Sequence, residues 1–274
     1  MSIAQVGDIK LYYEVHGKGE PLVLVMGFGF RSGHWFAIRD KLAEEYRVIV
    51  FDNRGTGLSD KPAIPYTARM MAGDVARLMD AIGIDRANVF GVSMGGMISQ
   101  EFALNYPGRL NSLILGCTYC GGNRAVPISA EAAAFLLDAE RAKLPEEDRA
   151  RGIIPWLWRE EFAENNPAAI ARFVAATCEH PTPPQTLVSH GNALITHDTY
   201  DRLPEIKAPT LVITGSDDRL IPCENSKILA SRIPGAELAI IDKAGHGFIT
   251  DSTEQAGKII LDFLGRHSKT RANN

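Results

Sequence analysis

Ala87-Asn88-Val89-Phe90-Gly91-Val92-Ser93-Met94-Gly95 is the stretch that decides how this chain is read. Residues 87–90 are mostly apolar and strand-like, and the segment from Ile98 to Tyr106 is helix-like. A serine between two glycines at a strand-to-helix turn is lifted clear of the backbone. The turn holds it in a strained conformation that only small neighbours tolerate. With glycine and serine each near ~7% of residues, a G-x-S-x-G run arises by chance in roughly one chain of this length in ten. Its surroundings give it meaning.

Working outward, strand-like runs fall at Ile9–Val15, Pro21–Met26, Arg47–Phe51, Asn88–Val92, Leu110–Leu115, Thr210–Thr214 and Glu237–Ile241. The later ones are continuous and rich in Val, Ile and Leu, as buried parallel strands are. Amphipathic segments lie between them. Met71, Val75, Leu78 and Ile82 share one face of a helix over Thr67–Ile82. A first helix is expected from Trp35 to Glu45, and another from Ser93 to Tyr106, stopped by Pro107-Gly108. This alternation predicts an α/β fold, a mostly parallel central β-sheet flanked by helices. Residues 121–204 interrupt it with a helix-rich, proline-punctuated stretch carrying Phe135, Leu136, Leu137, Trp156, Leu157, Trp158, Phe162 and Phe173. An insertion of that length reads as a helical lid on a core made of residues 1–120 and 205–274. The polar tail, Arg266 to Asn274, is expected to fray.

The composition is that of an ordinary globular protein: 274 residues, 45% hydrophobic, 23% charged, net charge −4. Scattered basic residues give no reason to expect nucleic acid or an anionic membrane as partner. Residues 1–8 show neither a basic region nor an apolar one, and no apolar run approaches bilayer-spanning length, so the cytoplasm is the expected location. Four cysteines occur. Cys117 and Cys120 form a C-x-x-C pair, but no second ligand pair accompanies it and it follows a mid-chain strand. They are read as reduced, packed thiols, with no metal and no cofactor expected.

A serine hydroxyl needs a base, and the base needs an orienting group. Gly215-Ser216-Asp217-Asp218-Arg219-Leu220-Ile221-Pro222 follows the 210–214 strand, and Asp242-Lys243-Ala244-Gly245-His246-Gly247-Phe248 follows the next. Serine, aspartate and histidine thus stand at the C-terminal ends of parallel strands, the rim where open α/β sheets bind ligands. With these motifs in place the chain resembles the α/β-hydrolase fold superfamily over essentially its whole length. The resemblance implies Ser93 as nucleophile, His246 as base then acid, and Asp218 as orienting carboxylate. The Gly-x-x-Asp-x-x-x-Pro spacing favours Asp218 over Asp217. The resemblance also implies an oxyanion hole from the backbone N–H groups of Met94 and Phe28, the latter in Met26-Gly27-Phe28-Gly29. Asp52-Asn53-Arg54-Gly55-Thr56-Gly57-Leu58-Ser59 is read as scaffold. Many relatives carry His-Gly where this chain has Met26-Gly27, a histidine that supports the loop; Met-Gly-Phe-Gly also resembles the small-molecule sensing branch.

The resemblance implies an esterase or enol-lactonase-like hydrolase acting on a small carboxylic ester or lactone. C–C bond hydrolases and cofactor-free haloperoxidases share the triad, and so do slow-turnover receptors. Trp156, Trp158 and Leu220 are candidate substrate contacts, the tryptophans equally readable as lid core. His16, His34, His180, His190, His197 and His267 are read as surface or packing residues, with His34 nearest the oxyanion loop. A dinucleotide-binding reading of Gly27-Phe28-Gly29 with Asp52 is weaker: Ser32 stands at the third glycine's place, and Ser93, Asp218 and His246 are left without a role. No Ser-x-x-Lys and no His-Glu-x-x-His occur. Relatives that open halides or epoxides have aspartate, not serine, at the elbow.

Overall fold

A computed structural model describes residues 2–138, 140 and 143–267. Eight strands form one sheet in the order β1-β2-β4-β3-β5-β6-β7-β8. They are β1 (Ser2–Val6), β2 (Ile9–His16), β3 (Pro21–Val25), β4 (Arg47–Phe51), β5 (Ala87–Val92), β6 (Leu110–Gly116), β7 (Thr210–Gly215) and β8 (Glu237–Ile241). β1–β2 and β2–β4 pair antiparallel; every later pair is parallel. The sequence reading omits β1. That strand folds back on β2 through Gly7-Asp8, with Gly7 at φ 61°, a conformation suited to a two-residue hairpin.

Along the central strands alternate residues enter different cores. Leu22, Leu24, Val48, Val50 and Ile114 pack with Trp35, Phe248 and Phe263 on one face. Val23, Val25, Ile49, Phe51, Leu113 and Leu115 pack with Met71, Val75, Met97 and Phe102 on the other. This is the period-2 geometry of a strand covered on both sides. Each such fully buried aliphatic side chain contributes about 1.5–3 kcal/mol. The helices making the layers are α1 (Arg39–Ala43), α2 (Ala68–Ala81), α3 (Met94–Asn105), and, after the insertion, α10 (Glu224–Arg232), α11 (Phe248–Asp251) and α12 (Thr253–His267). The helix expected over 35–45 is shorter. A single 3₁₀ turn at Ser32–Trp35 precedes α1 instead. Helix α2 starts where Thr67 accepts a hydrogen bond from Met70 N, 3.0 Å, one of the orphan donors of a helix start.

Between β6 and β7 lie α4 (Ala130–Leu137), α5 (Glu146–Gly152), α6 (Ile154–Leu157), α7 (Glu160–Asn165), α8 (Pro167–Glu179) and α9 (Pro184–Ile195). Their apolar faces form a third cluster, with Trp156, Leu157, Trp158, Phe173 and Val174 packed on Leu220 and Ile221 of the β7 loop. The tail beyond residue 267 lies outside the described residues.

Candidate active site

Ser93 stands between β5 and α3 at φ 56°, ψ −125°. The geometry of the elbow explains its glycines. A Cβ on Gly91 would sit 2.1 Å from the Gly95 carbonyl, and one on Gly95 would sit 2.0 Å from that of Val25. The strained residue is held by four bonds, the longest from Met97 N to its carbonyl (3.4 Å). Its N–H donates to Gly116 O (2.9 Å), and its carbonyl accepts from Gly96 N (2.9 Å) and Thr118 Oγ1 (2.7 Å). Positive φ on a non-glycine costs on the order of 1–3 kcal/mol and persists only where the surroundings over-determine it. The half-buried Ser93 hydroxyl itself makes no hydrogen bond among the described residues.

Three strand-ends further along the sheet, after β8, the buried imidazole of His246 donates from Nδ1 to Asp218 Oδ2 at 2.8 Å. The other Asp218 oxygen accepts from Leu220 N (2.9 Å) and Ile221 N (2.8 Å), so the carboxylate is fixed. Its side chain is fully buried. Asp217 points elsewhere: it is exposed and accepts from Ser216 Oγ. The neutral tautomer that fits has its proton on Nδ1 and a free Nε2 lone pair. Burial pushes the imidazole pKa down, but the Asp218 carboxylate, aided by Cys117, overrides this and holds it well above 6.5. Cys117, directly after β6, lies beside this ring, which its reading as a packed thiol does not anticipate. It is buried at φ 38°. Cys117, Asp218 and His246 offer a sulfur, an oxygen and a nitrogen within 4.8 Å of one another, donors of the kind that hold a thiophilic ion. All four cysteines are free thiols.

The loop after β3 lies against Ser93. A Cβ on Gly27 would be 3.0 Å from Ser93 Cβ and 3.5 Å from its Oγ. Among the described residues neither the Phe28 nor the Met94 amide has an acceptor. The turn after β4 carries this loop. Asn53 Nδ2 donates to Met26 O (2.9 Å), Asp52 Oδ1 accepts from Ser32 N (2.8 Å), and its Oδ2 accepts from Leu58 N (2.8 Å). The imidazole that reaches the loop comes from α9. His190, read from sequence as surface or packing, is fully buried; its Nδ1 accepts from Gly29 N (3.2 Å) and its Nε2–H donates to Arg54 O (3.0 Å). Burial pushes its pKa down to about 4, which keeps the acceptor nitrogen unprotonated at neutral pH. No local pattern marks this residue, because it lies 161 positions from its partner.

The remaining histidines have other settings. His34 is buried, stacked on Phe30 at 4.5 Å, with Nε2 3.0 Å from Thr177 Oγ1, and burial pushes its pKa down to about 3. His16 pairs with Glu14 and His267 lies near Glu237. His197 is buried, and neither ring nitrogen has a partner among the described residues. Trp156 stacks with Phe135 (5.0 Å) under the Arg219 guanidinium (4.9 Å). Trp158 packs edge-on against Phe173 (5.0 Å) and donates Nε1–H to Gly247 O (3.1 Å). Both tryptophans and Leu220 are more than nine-tenths buried.

The alpha/beta hydrolase fold family matches residues 20–253. A protein of Azorhizobium caulinodans named "Putative carbamate hydrolase RutD" is 32% identical over 265 residues, covering 97% of this chain and 98% of its own. Two solved structures superpose over nearly the whole chain. An esterase from Thermogutta terrifontis has TM-score 0.85 and 31% identity, covering 97% of this chain and 99% of that one. The enol-lactonase of Burkholderia xenovorans LB400 has TM-score 0.86 and 26% identity, covering 96% and 100%.

Proposed function

The chain belongs to the α/β-hydrolase fold family, and from that premise we propose that it is a serine hydrolase opening small carboxylic esters or lactones through an acyl-enzyme. Ser93 Oγ attacks the carbonyl carbon. His246 Nε2 takes the serine proton and delivers it to the leaving alcohol, while Asp218 holds the ring and stabilises the imidazolium. The Phe28 and Met94 amides donate to the carbonyl oxygen as it becomes an oxyanion. A water molecule, deprotonated by the same imidazole, then releases the acid. For a lactone the leaving alcohol stays tethered to the acyl group.

The observation that carries this reading is the 2.8 Å His246–Asp218 bond on the sheet edge where the elbow strains Ser93. Catalytic hydrogen bonds to a nucleophile are often long before substrate binds, and the Ser93–His246 contact is expected to close on it. Ser93→Ala should cut hydrolysis of short-chain p-nitrophenyl esters by several orders of magnitude and abolish labelling by a fluorophosphonate. Retention of either would falsify the nucleophile assignment. A carbamate substrate is the second reading, supported by the name of the 32% identical relative. The same acyl chemistry serves it with an amine leaving group. A panel of graded esters, lactones and carbamates separates the two by kcat/KM.

A further inference from the structure

We propose that the inserted helices are a two-point brace on the chemistry, with Trp158, Thr182 and His190 as positioning residues; this rests on the serine-hydrolase reading above. Two glycines carry the argument, Gly29 and Gly247. Each directly follows a residue assigned to the reaction, Phe28 and His246. In each, both backbone polar groups are bonded to the insertion. Gly29 N–H donates to His190 Nδ1 (3.2 Å), and its carbonyl accepts from Thr182 Oγ1 (2.7 Å). Gly247 N–H donates to Leu157 O (2.8 Å), and its carbonyl accepts from Trp158 Nε1 (3.1 Å) as well as from the Thr250 and Asp251 amides of α11 (2.8 and 3.2 Å).

The glycines around His246 have a steric cause as well. A Cβ on Gly245 would lie 2.4 Å from Leu157 O, and one on Gly247 would lie 2.2 Å from Trp158 Nε1. The insertion's backbone is therefore seated directly on the histidine loop. A Cβ on Gly29, at φ 70°, would meet Leu187 of α9 at 2.9 Å. The two seats are joined through side chains. Trp158 packs on Phe173 (5.0 Å), and Phe173 packs on both Phe30 (5.4 Å) and His34 (5.4 Å) of the oxyanion loop. Fixing the peptide after Phe28 and the peptide after His246 fixes where the donor and the imidazole point. A misplacement of about 1 Å at such groups can cost 10²-fold in rate. A flap that swung clear in each turnover would have to break these four hydrogen bonds and release the aromatic chain. The insertion is instead part of the catalytic frame, and substrate enters without its leaving.

The test uses conservative variants of the whole chain. Trp158→Phe keeps the ring but loses the donor, and Thr182→Val keeps the shape but loses the hydroxyl. His190→Phe keeps a ring without either hydrogen bond. For each, kcat on a p-nitrophenyl ester should fall about tenfold or more with KM within about twofold of the parent, and fluorophosphonate labelling should slow in proportion. Thr182→Ser should label at the parental rate. Parental rates in Trp158→Phe and Thr182→Val overturn the brace. So does a rise in kcat, as a loosened flap would give, or a loss in Thr182→Ser equal to that in Thr182→Val. An unlabelled parent protein would instead defeat the serine-hydrolase reading, so the two failures are told apart.

Discussion

The imidazole of His246 is under opposed pressures, burial against it holding a proton and the Asp218 carboxylate for it. The carboxylate wins, so in the folded protein the ring loses its proton only above 6.5, its ordinary value. Two consequences have opposite signs. In the proposed mechanism base catalysis needs the neutral ring, so kcat/KM should climb with pH through the raised folded value. The stability contributed by the ion pair is fully present below 6.5 and is lost as pH rises through that same raised value. Activity is gained in the window where stability is given up. Asp218→Asn removes the favourable partner and leaves burial. Its acid limb should move to lower pH, its kcat should fall by about 10⁴, and its stability should lose the slope above pH 6.5. Rate profiles and denaturant melts on the same buffer series check both. Cys117→Ala should move the limb in the same direction by less, because the sulfur is the smaller of the two influences. A limb that stays in place in both variants would mean that it reports another group.

Among elements, the turn after β4 and helix α2 are joined by a buried ion pair. Arg54 Nη2 donates to Asp74 Oδ1 at 2.7 Å, and both side chains are 2% exposed. Arg77, half exposed, donates to the same oxygen at 2.9 Å. Removing one partner of such a pair strands a buried charge and costs about 3–5 kcal/mol. Asp74→Asn should therefore lower the denaturation midpoint strongly. It should also reduce activity, since Arg54 O accepts from His190, which in turn holds Gly29. Asp74→Asn at parental stability would show that Arg54 is solvated or paired in another way. This turn illustrates what sequence could show. Its glycines and short polar residues mark it as scaffold, and strand ends at 92, 215 and 241 place Ser93, Asp218 and His246, because strand periodicity and tight turns are written locally. Strand β1 is harder to see: only Ala4 and Val6 of its five residues are buried, so the alternation is too short to register. The helix expected over 35–45 begins late because residues up to Trp35 form a 3₁₀ turn instead. His190, Thr182 and the backbone of Leu157 act across 90 to 161 positions. Such contacts leave no periodicity, and the histidine absent at position 26 is the sole hint that another group had to carry the loop.

At the scale of the whole molecule, the sheet separates two cores, and the insertion adds a third cluster that shares Phe30 and Tyr119 with them. If the insertion were a hinged flap, that cluster could melt while the sheet stayed folded, as weakly attached segments do. Four hydrogen bonds from the insertion to the peptide groups of Gly29 and Gly247, three of them made by side chains, with Trp158 and Phe173 between them, argue for one cooperative unit instead. The chain's tryptophans allow a direct measurement. Of the three, Trp156 and Trp158 are in the insertion and Trp35 is in the sheet core. Trp35 Nε1 is buried without a partner among the described residues, so Trp35→Phe discards an unsatisfied donor as it opens a small void. Its cost should stay below the ~3–5 kcal/mol of truncation to alanine. In that variant fluorescence reports the insertion alone, while far-UV ellipticity reports all secondary structure. The two melting curves should coincide in midpoint and steepness. A fluorescence transition several degrees below the ellipticity transition would mean that the insertion loosens before the sheet, and the frame would then have to be described as a lid that opens.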